Sequence, residues 1–218
     1  MAAPVRLHLQ PGGGLAEACP AATGGTTGYT FDPAKPSPTV CGRNLKIPAG
    51  SCDQAKKVES RGDVVLFSTP KLQKAMEVTG RVRAHLFTKI DQKDADLMVR
   101  LTDVYPDGRS MLIADGAARL AARGSTKGIK ALAPGEVVHA VVDLWSSSII
   151  INKGHRLRVS ITSSNYPRFA VNRNTALPYP LAVVGPGKKV KVTLFHDAAR
   201  ASYLELPDPG RKPSDYTK

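Results

Sequence analysis

The sequence predicts an all-β protein, a two-sheet β-sandwich of jelly-roll type. Three observations lead there. Nineteen glycines and seventeen prolines are spread along 218 residues, so turns are frequent and elements short. Apolar residues alternate with polar ones in several separate runs, the period of half-buried strands. No amphipathic helical stretch exceeds two turns, and the 42% hydrophobic content suffices to bury a core.

Taken in order, residues 1–60 read as an irregular segment that wraps a body formed later. Gly12-Gly13-Gly14, Gly24-Gly25 and Pro33, Pro36 and Pro38 deny it a long helix, although Val5-Arg6-Leu7-His8-Leu9 is strand-like and opens almost directly after Met1, as at a domain boundary. Residues 61–207 form the sandwich. Val64-Val65-Leu66-Phe67-Ser68 is a short apolar run, and Val78, Gly80, Val82, Ala84 and Leu86 alternate with Thr79, Arg81, Arg83, His85 and Phe87. Leu97, Val99 and Leu101 alternate with Met98, Arg100 and Thr102. Tyr105-Pro106-Asp107-Gly108 then supplies turn chemistry before Ser110-Met111-Leu112-Ile113-Ala114, which makes a hairpin. Ala114 to Arg123 is rich in Ala, Leu and Arg, yet Gly116 and the preceding run favour a continued edge strand or a bend. Glu136 to Leu144 is a β-branched run. After Asn152-Lys153-Gly154, Leu157, Val159 and Ile161 alternate with polar residues, and Val190, Val192 and Leu194 close the series of about eight strands. Residues 208–218 read as a tail.

The formal net charge of +13 raises the possibility of a polyanionic partner. The basic residues come in ones and twos, however, and alternate with apolar residues as the solvent faces of strands do; with six Tyr, five Phe and no aromatic cluster among the charges, nucleic-acid binding is not expected. No run approaches the roughly 20 apolar residues of a membrane span, and the first residues lack a signal peptide's charged and apolar regions, so the chain reads as soluble. Of the three cysteines, Cys41 and Cys52 bracket a loop containing Gly and Pro. Two readings stand: a disulfide, worth about 3 kcal/mol through loop closure, or two small buried thiols. A disulfide would place the protein in a secreted or periplasmic setting.

Chemistry is sparse. Gly50-Ser51-Cys52 and Gly124-Ser125-Thr126 lack the second glycine of a nucleophile elbow, so no catalytic residue is assigned. The histidines never fall at metal-ligand spacing, there is no Cys-x-x-Cys, and no cofactor or metal is implied. His155 at a strand start is read as bonding a turn carbonyl, and His196-Asp197 as an acid/base pair without a nucleophile. Asp91, Asp94 and Asp96 lack the glycine and distal glutamate of an EF-hand, which favours capping and ion pairing over calcium. Trp145 is read as a core residue, with sugar stacking as the rival.

Asp32-Pro33-Ala34-Lys35-Pro36-Ser37-Pro38-Thr39, Asp53-Gln54, Arg61-Gly62-Asp63-Val64-Val65-Leu66-Phe67-Ser68-Thr69-Pro70, Glu77-Val78-Thr79-Gly80, Leu101-Thr102-Asp103-Val104-Tyr105-Pro106-Asp107-Gly108, Gly154-His155-Arg156-Leu157-Arg158-Val159 and Ser163-Ser164-Asn165-Tyr166-Pro167-Arg168-Phe169 occur in that order. Asn172-Arg173-Asn174-Thr175 and the segment from His196 to Pro207 extend the set. Together they resemble the C-terminal domain of X-Pro dipeptidyl-peptidases, cocaine-esterase-like hydrolases and α-amino-acid ester hydrolases, over about Leu7 to Pro207.

That resemblance implies a galactose-binding-like jelly roll without catalytic residues, packed on an α/β-hydrolase domain that lies upstream and carries the Ser-Asp-His triad. It also implies that the loop after Pro-x-Pro-Thr reaches the active site. Carried onto this chain, the substrate-facing loop comprises Cys41, Gly42, Arg43, Asn44, Leu45, Lys46 and Ile47, with Leu45 and Ile47 as apolar contacts. Cys41-Gly42 stands where the family commonly has two glycines, and Cys52 precedes Asp53-Gln54. The expected role is an accessory domain of a serine hydrolase, and the alternative is a free-standing carbohydrate-binding or oligomerisation module. A homo-oligomer fits either.

Overall fold

The computed structural model describes residues 4–21, 25–45, 47–123 and 128–207. It contains twelve strands: β1 (Val5–Gln10), β2 (Gly14–Ala16), β3 (Thr26–Phe31), β4 (Val65–Ser68), β5 (Met76–Ile90), β6 (Asp96–Val104), β7 (Ser110–Arg119), β8 (Val137–Ile151), β9 (Arg156–Thr162), β10 (Val190–Asp197), β11 (Arg200–Ala201) and β12 (Tyr203–Leu206). The protein is a β-sandwich. One layer runs β4-β9-β6-β7, all antiparallel. In the other, β8 pairs along β5 from Met76↔Ile151 to Lys89↔Val137, and the far edge of β5 is shared by β10 and β12. Outside these lie β3 on β10 and β1 on β12. A single parallel pair, Gly14↔Ser68 between β2 and β4, joins the layers into one hydrogen-bonded path.

The inward side chains of both layers meet in one core. Leu97, Val99 and Leu101 of β6 and Val159 and Ile161 of β9 pack with Val82, Ala84 and Leu86 of β5, Val142 and Leu144 of β8, and Val192 and Leu194 of β10. These are the apolar halves of the alternating runs, and burying each Val, Leu or Ile side chain contributes about 1.5–3 kcal/mol. The β6–β7 hairpin turns at Tyr105–Arg109, where Gly108 takes a φ of +92° and Asp107 Oδ1 accepts from the Arg109 amide. Leu120–Ala122 forms a short 3-10 turn after β7, so the Ala-rich stretch is a strand with a bend and not a helix.

The reading of residues 1–60 as irregular needs correction in three places, since β1, β2 and β3 are full members of the sheets. Glycine and proline interrupt this segment, but a six-residue strand fits between the interruptions; Pro11–Gly13 merely turns the chain from β1 into β2. Residues 32–63 do lie across the outer face of β6. Arg100 Nη2 donates to the Pro38 carbonyl, and Glu59 accepts from Ser110 Oγ, Thr102 Oγ1 and Arg158 Nη1. Strand β6 is therefore buried on both faces. β8 continues through Ser146-Ser147-Ser148, beyond the expected end at Leu144, because β5 supplies a paired partner throughout. Residues 208–218 lie outside the described residues.

Candidate functional site

The segment from Cys41 to Cys52 closes on itself at the side of the sandwich where β7 meets β8. Cys41 and Cys52 are joined in a disulfide, their Cα atoms 5.8 Å apart. Beyond it, Gly42 and Gly50 exchange backbone hydrogen bonds of 2.9 and 3.1 Å. Both glycines sit at positive φ, +100° and +94°, where a side chain would be strained. Asn44 holds the tip: its Nδ2 donates to the Cys41 carbonyl at 3.2 Å, and its Oδ1 accepts from the Ile47 amide at 2.9 Å.

The neck of the loop is fixed to β7. Gln54 Nε2 donates to the Val40 and Cys52 carbonyls, both at 2.9 Å; the Leu112 amide donates to the Cys52 carbonyl, and Asp53 Oδ1 accepts from the Ser110 amide. The tip is fixed to β8, where the Arg43 guanidinium donates to the carbonyls of Leu144 and Ser146. Between loop and strands lies an open groove of about 600 Å³. Its walls are mostly apolar (Leu45, Ala49, Leu112, Ile113, Ile149), with Ser147 and Ser148 on one side and Asp115 among the lining residues. Leu45 is fully exposed at the rim, whereas Ile47 is half-buried. Lys46 lies outside the described residues.

Beneath the groove, charge is concentrated. Asp115, buried on β7, accepts from Arg168 Nη1 at 2.6 Å and from Asn165 Nδ2 at 3.0 Å. Arg100 is 1% exposed, and its Nη1 finds no hydrogen-bond partner among the described residues. Burial lowers its pKa to about 10, opposed by the carboxylates of Asp115 and Glu59. Arg168 and Asp115 also crowd Gly42, so the loop rests on this ion pair. Arg100 looked like a solvent-facing residue from its alternation with Leu97, Val99 and Leu101. Asp115 gave no signal except as an acid within an apolar run.

Other residues singled out by sequence are dispersed. His155 bonds Asp103 Oδ1 at 2.8 Å and packs on Tyr105, rather than meeting a turn carbonyl. His196 bonds Thr27 while Asp197 is taken by Arg200. His8, His85 and His139 lie in a row of rings with Tyr203 and Phe87 across β1, β12, β5 and β8. Asp91 Oδ1 accepts from the Lys191 amide, Asp94 pairs with Arg119, and both Asp94 and Asp96 accept from Asn172 Nδ2. Among the described residues no group of three or more His, Cys, Asp or Glu is placed to hold a metal ion.

Trp145 requires a correction. It is 62% exposed rather than in the core, because it continues the outward-facing set of β8 while Val142 and Leu144 point inward; the backbone also bulges there, with Trp145 at a φ of +68° and its amide donating to Asp143 Oδ1 at 2.8 Å. The Arg81 guanidinium, paired with Asp143, lies over the indole ring.

Burial next to Asp94 drives the Asp96 carboxyl up to about 7, with desolvation the larger cause. Its folded pKa therefore lies above the usual 3.8, so its contribution is favourable at low pH and is lost as pH rises through about 7. Asp96→Asn should stabilise the chain little at pH 4, increasingly from pH 5 to 7, and by roughly 1–3 kcal/mol at pH 8, allowing for partial exposure. Urea denaturation of both proteins across that range checks this; a pH-independent difference would show that Asp96 stays ionised.

Comparison with known proteins places this site in context. The model of the X-Pro dipeptidyl-peptidase C-terminal non-catalytic domain matches residues 5–205. The cocaine esterase of Rhodococcus sp. (strain MB1 Bresler) is 34% identical over 170 residues, which is 77% of this chain and 29% of the esterase. An aminopeptidase structure from a marine-sediment Thaumarchaeota archaeon superposes with a TM-score of 0.85 at 26% identity, covering 94% of this chain and 37% of that one. An α-amino-acid ester hydrolase structure gives 0.85 at 27%, covering 94% and 36%. The chain thus spans less than a third of the curated esterase and little over a third of each of those structures. A match over nearly its whole length, with the same fold in the solved relatives, shows that this chain belongs to the family of X-Pro dipeptidyl-peptidase C-terminal non-catalytic domains.

Proposed function

We propose that this domain completes the substrate pocket of a serine hydrolase of X-Pro dipeptidyl-peptidase or acyl ester hydrolase type, whose α/β-hydrolase domain supplies the triad. On this reading the fold is a galactose-binding-like jelly roll, and the loop of Cys41, Gly42, Arg43, Asn44, Leu45, Lys46 and Ile47 forms one wall of the pocket. The observation that carries it is a disulfide-closed loop, tied to both β7 and β8, that presents Leu45 wholly to solvent above an apolar groove. Such an arrangement supplies apolar surface and a fixed position, while acyl transfer needs a nucleophile and base from elsewhere.

The isolated chain should not turn over p-nitrophenyl acetate or Ala-Pro-p-nitroanilide. Turnover abolished by a serine-directed phosphonate would overturn the reading. In the polypeptide that joins this domain to its hydrolase domain, Leu45→Ala should change KM or kcat/KM by about 10- to 200-fold, corresponding to one lost apolar contact of about 1–3 kcal/mol. Unchanged constants for every acyl or dipeptide substrate tried would remove the loop from the pocket.

A further inference from the structure

A buried charge needs a counter-charge, and one residue of this chain lacks it. Arg100, 1% exposed, is the only buried lysine or arginine among the described residues. Around it Arg61 pairs with Asp63, Arg158 with Glu59 and Arg168 with Asp115, whereas no carboxylate among the described residues lies within ion-pair distance of Arg100. Asp115 and Glu59 favour its charge from farther away, and the guanidinium groups of Arg168 and Arg61 oppose it. The cluster beneath residues 32–63 therefore holds one positive charge more than its carboxylates offset.

Hydrogen-bond donors are left over at the same point. Arg100 Nη2 donates to the Pro38 carbonyl at 3.2 Å, but Nη1 has no partner among the described residues. Ser160 stands directly opposite Arg100 on β9, so the two side chains rise from one face of the layer, with the Cβ atoms of such pairs about 4.5–5.5 Å apart. The Ser160 hydroxyl is fully buried and likewise has no partner among the described residues. Ser37 precedes the proline that Arg100 grips. Its amide donates to Ser164 Oγ at 2.7 Å and its carbonyl accepts from the Tyr166 amide at 3.0 Å, yet its own hydroxyl is buried and unpartnered among the described residues. A guanidinium N–H from β6, a hydroxyl from β9 and a hydroxyl from the covering segment thus lie buried without an acceptor, a state that costs stability for each group.

We propose that Arg100 Nη1, Ser160 Oγ and Ser37 Oγ bind one monovalent inorganic anion of chloride size, which ties the segment carrying the 41–52 loop to the sandwich. This goes beyond the accessory-domain reading and does not depend on it. The surplus is a single positive charge, which a monovalent anion neutralises and a water does not. All three groups can donate; an anion accepts from all of them, whereas a water has two acceptor lone pairs. Phosphate or sulfate would bring a second negative charge to a site that offsets one, behind residues that are only 0% or 1% exposed.

Urea denaturation of the 218-residue chain at constant ionic strength, with gluconate replacing chloride, reads the site. The folded-to-unfolded ratio should rise with chloride and approach about a tenfold gain per tenfold increase, the limit for one ion bound by the folded state alone. Bromide should act in the same way. Arg100→Met, which removes the stranded charge, should fold and show no such rise. Ser160→Ala should need about tenfold more chloride, or more still, for the same gain. Crystals grown in bromide should carry one ordered anomalous scatterer against Arg100 Nη1. An equal chloride dependence in Arg100→Met would overturn the proposal, as would a wild type indifferent to chloride. An ordered water against Nη1 in the bromide crystals would overturn it too, and those crystals decide the matter if Arg100→Met fails to fold.

Discussion

Asp115→Ala is expected to cost about 3–5 kcal/mol, the range for removing one partner of a buried ion pair, and to loosen the 41–52 loop at the same time. Asp115 is 2% exposed and accepts from Arg168 and Asn165, while Arg100, 1% exposed, relies on its field and that of Glu59. Without it, Asn165 Nδ2 loses its acceptor, Arg168 its ion-pair partner and Arg100 the carboxylate that most favours its charge. Arg168 reaches solvent in part and can compensate, but Arg100 cannot. The residual cost therefore falls mainly on Arg100, and Asp115→Ala combined with Arg100→Met should recover a substantial part of the loss, since an apolar group of similar length removes the stranded charge. Denaturation curves of the two single variants and the double variant measure the coupling. Additive losses would show that the two residues act separately, and a single-variant loss below about 1 kcal/mol would show that the pair only decorates the surface.

This ion pair also marks the limit of what the sequence discloses. Period-two alternation made β5, β6, β9 and β10 legible, and the turn residues 105–108 located the hairpin, because local backbone and burial preferences agree there. The same alternation misreads Arg100. It identifies the face a side chain occupies but not what covers that face, and here residues 32–63 fold over it from a distance in sequence. β1 to β3 were obscured by glycine and proline, whose effect on a helix is severe and on short strands slight. Trp145 was misplaced because its size suggested burial, whereas the alternation that turns Val142 and Leu144 inward already assigns residue 145 to the outward face. The 41–52 loop was visible only through the order of motifs around it. Its cross-chain anchors, from Arg43 to Leu144 and from Asp115 to Arg168, depend on strand neighbours more than fifty residues apart.

Gly116→Ala should cost at least about 3 kcal/mol, at or beyond the top of the range for overpacking a well-packed site. A Cβ added there would lie 2.1 Å from the Asp143 carbonyl oxygen, 2.8 Å from its carbon and 3.2 Å from the Leu144 Cα. All three are backbone atoms, so no rotamer change relieves the contact. Either β7 or β8 must move, and each is held: β7 by its ladder to β6 and β8 by its ladder to β5. The cost therefore exceeds that of crowding a flexible side chain. It also falls beside the candidate site, since Asp143 pins Arg81 and the Trp145 amide, and Leu144 provides the carbonyl that Arg43 grips. Displacing β8 by even a fraction of an ångström should free the indole, so the variant's Trp145 emission, from the only tryptophan in the chain, should be broader and more readily quenched by iodide than the wild type's under native conditions. A variant of wild-type stability and emission would mean that the two strands are not in close contact at Gly116, and that the bulge displaying Trp145 is set by β5 and β8 alone.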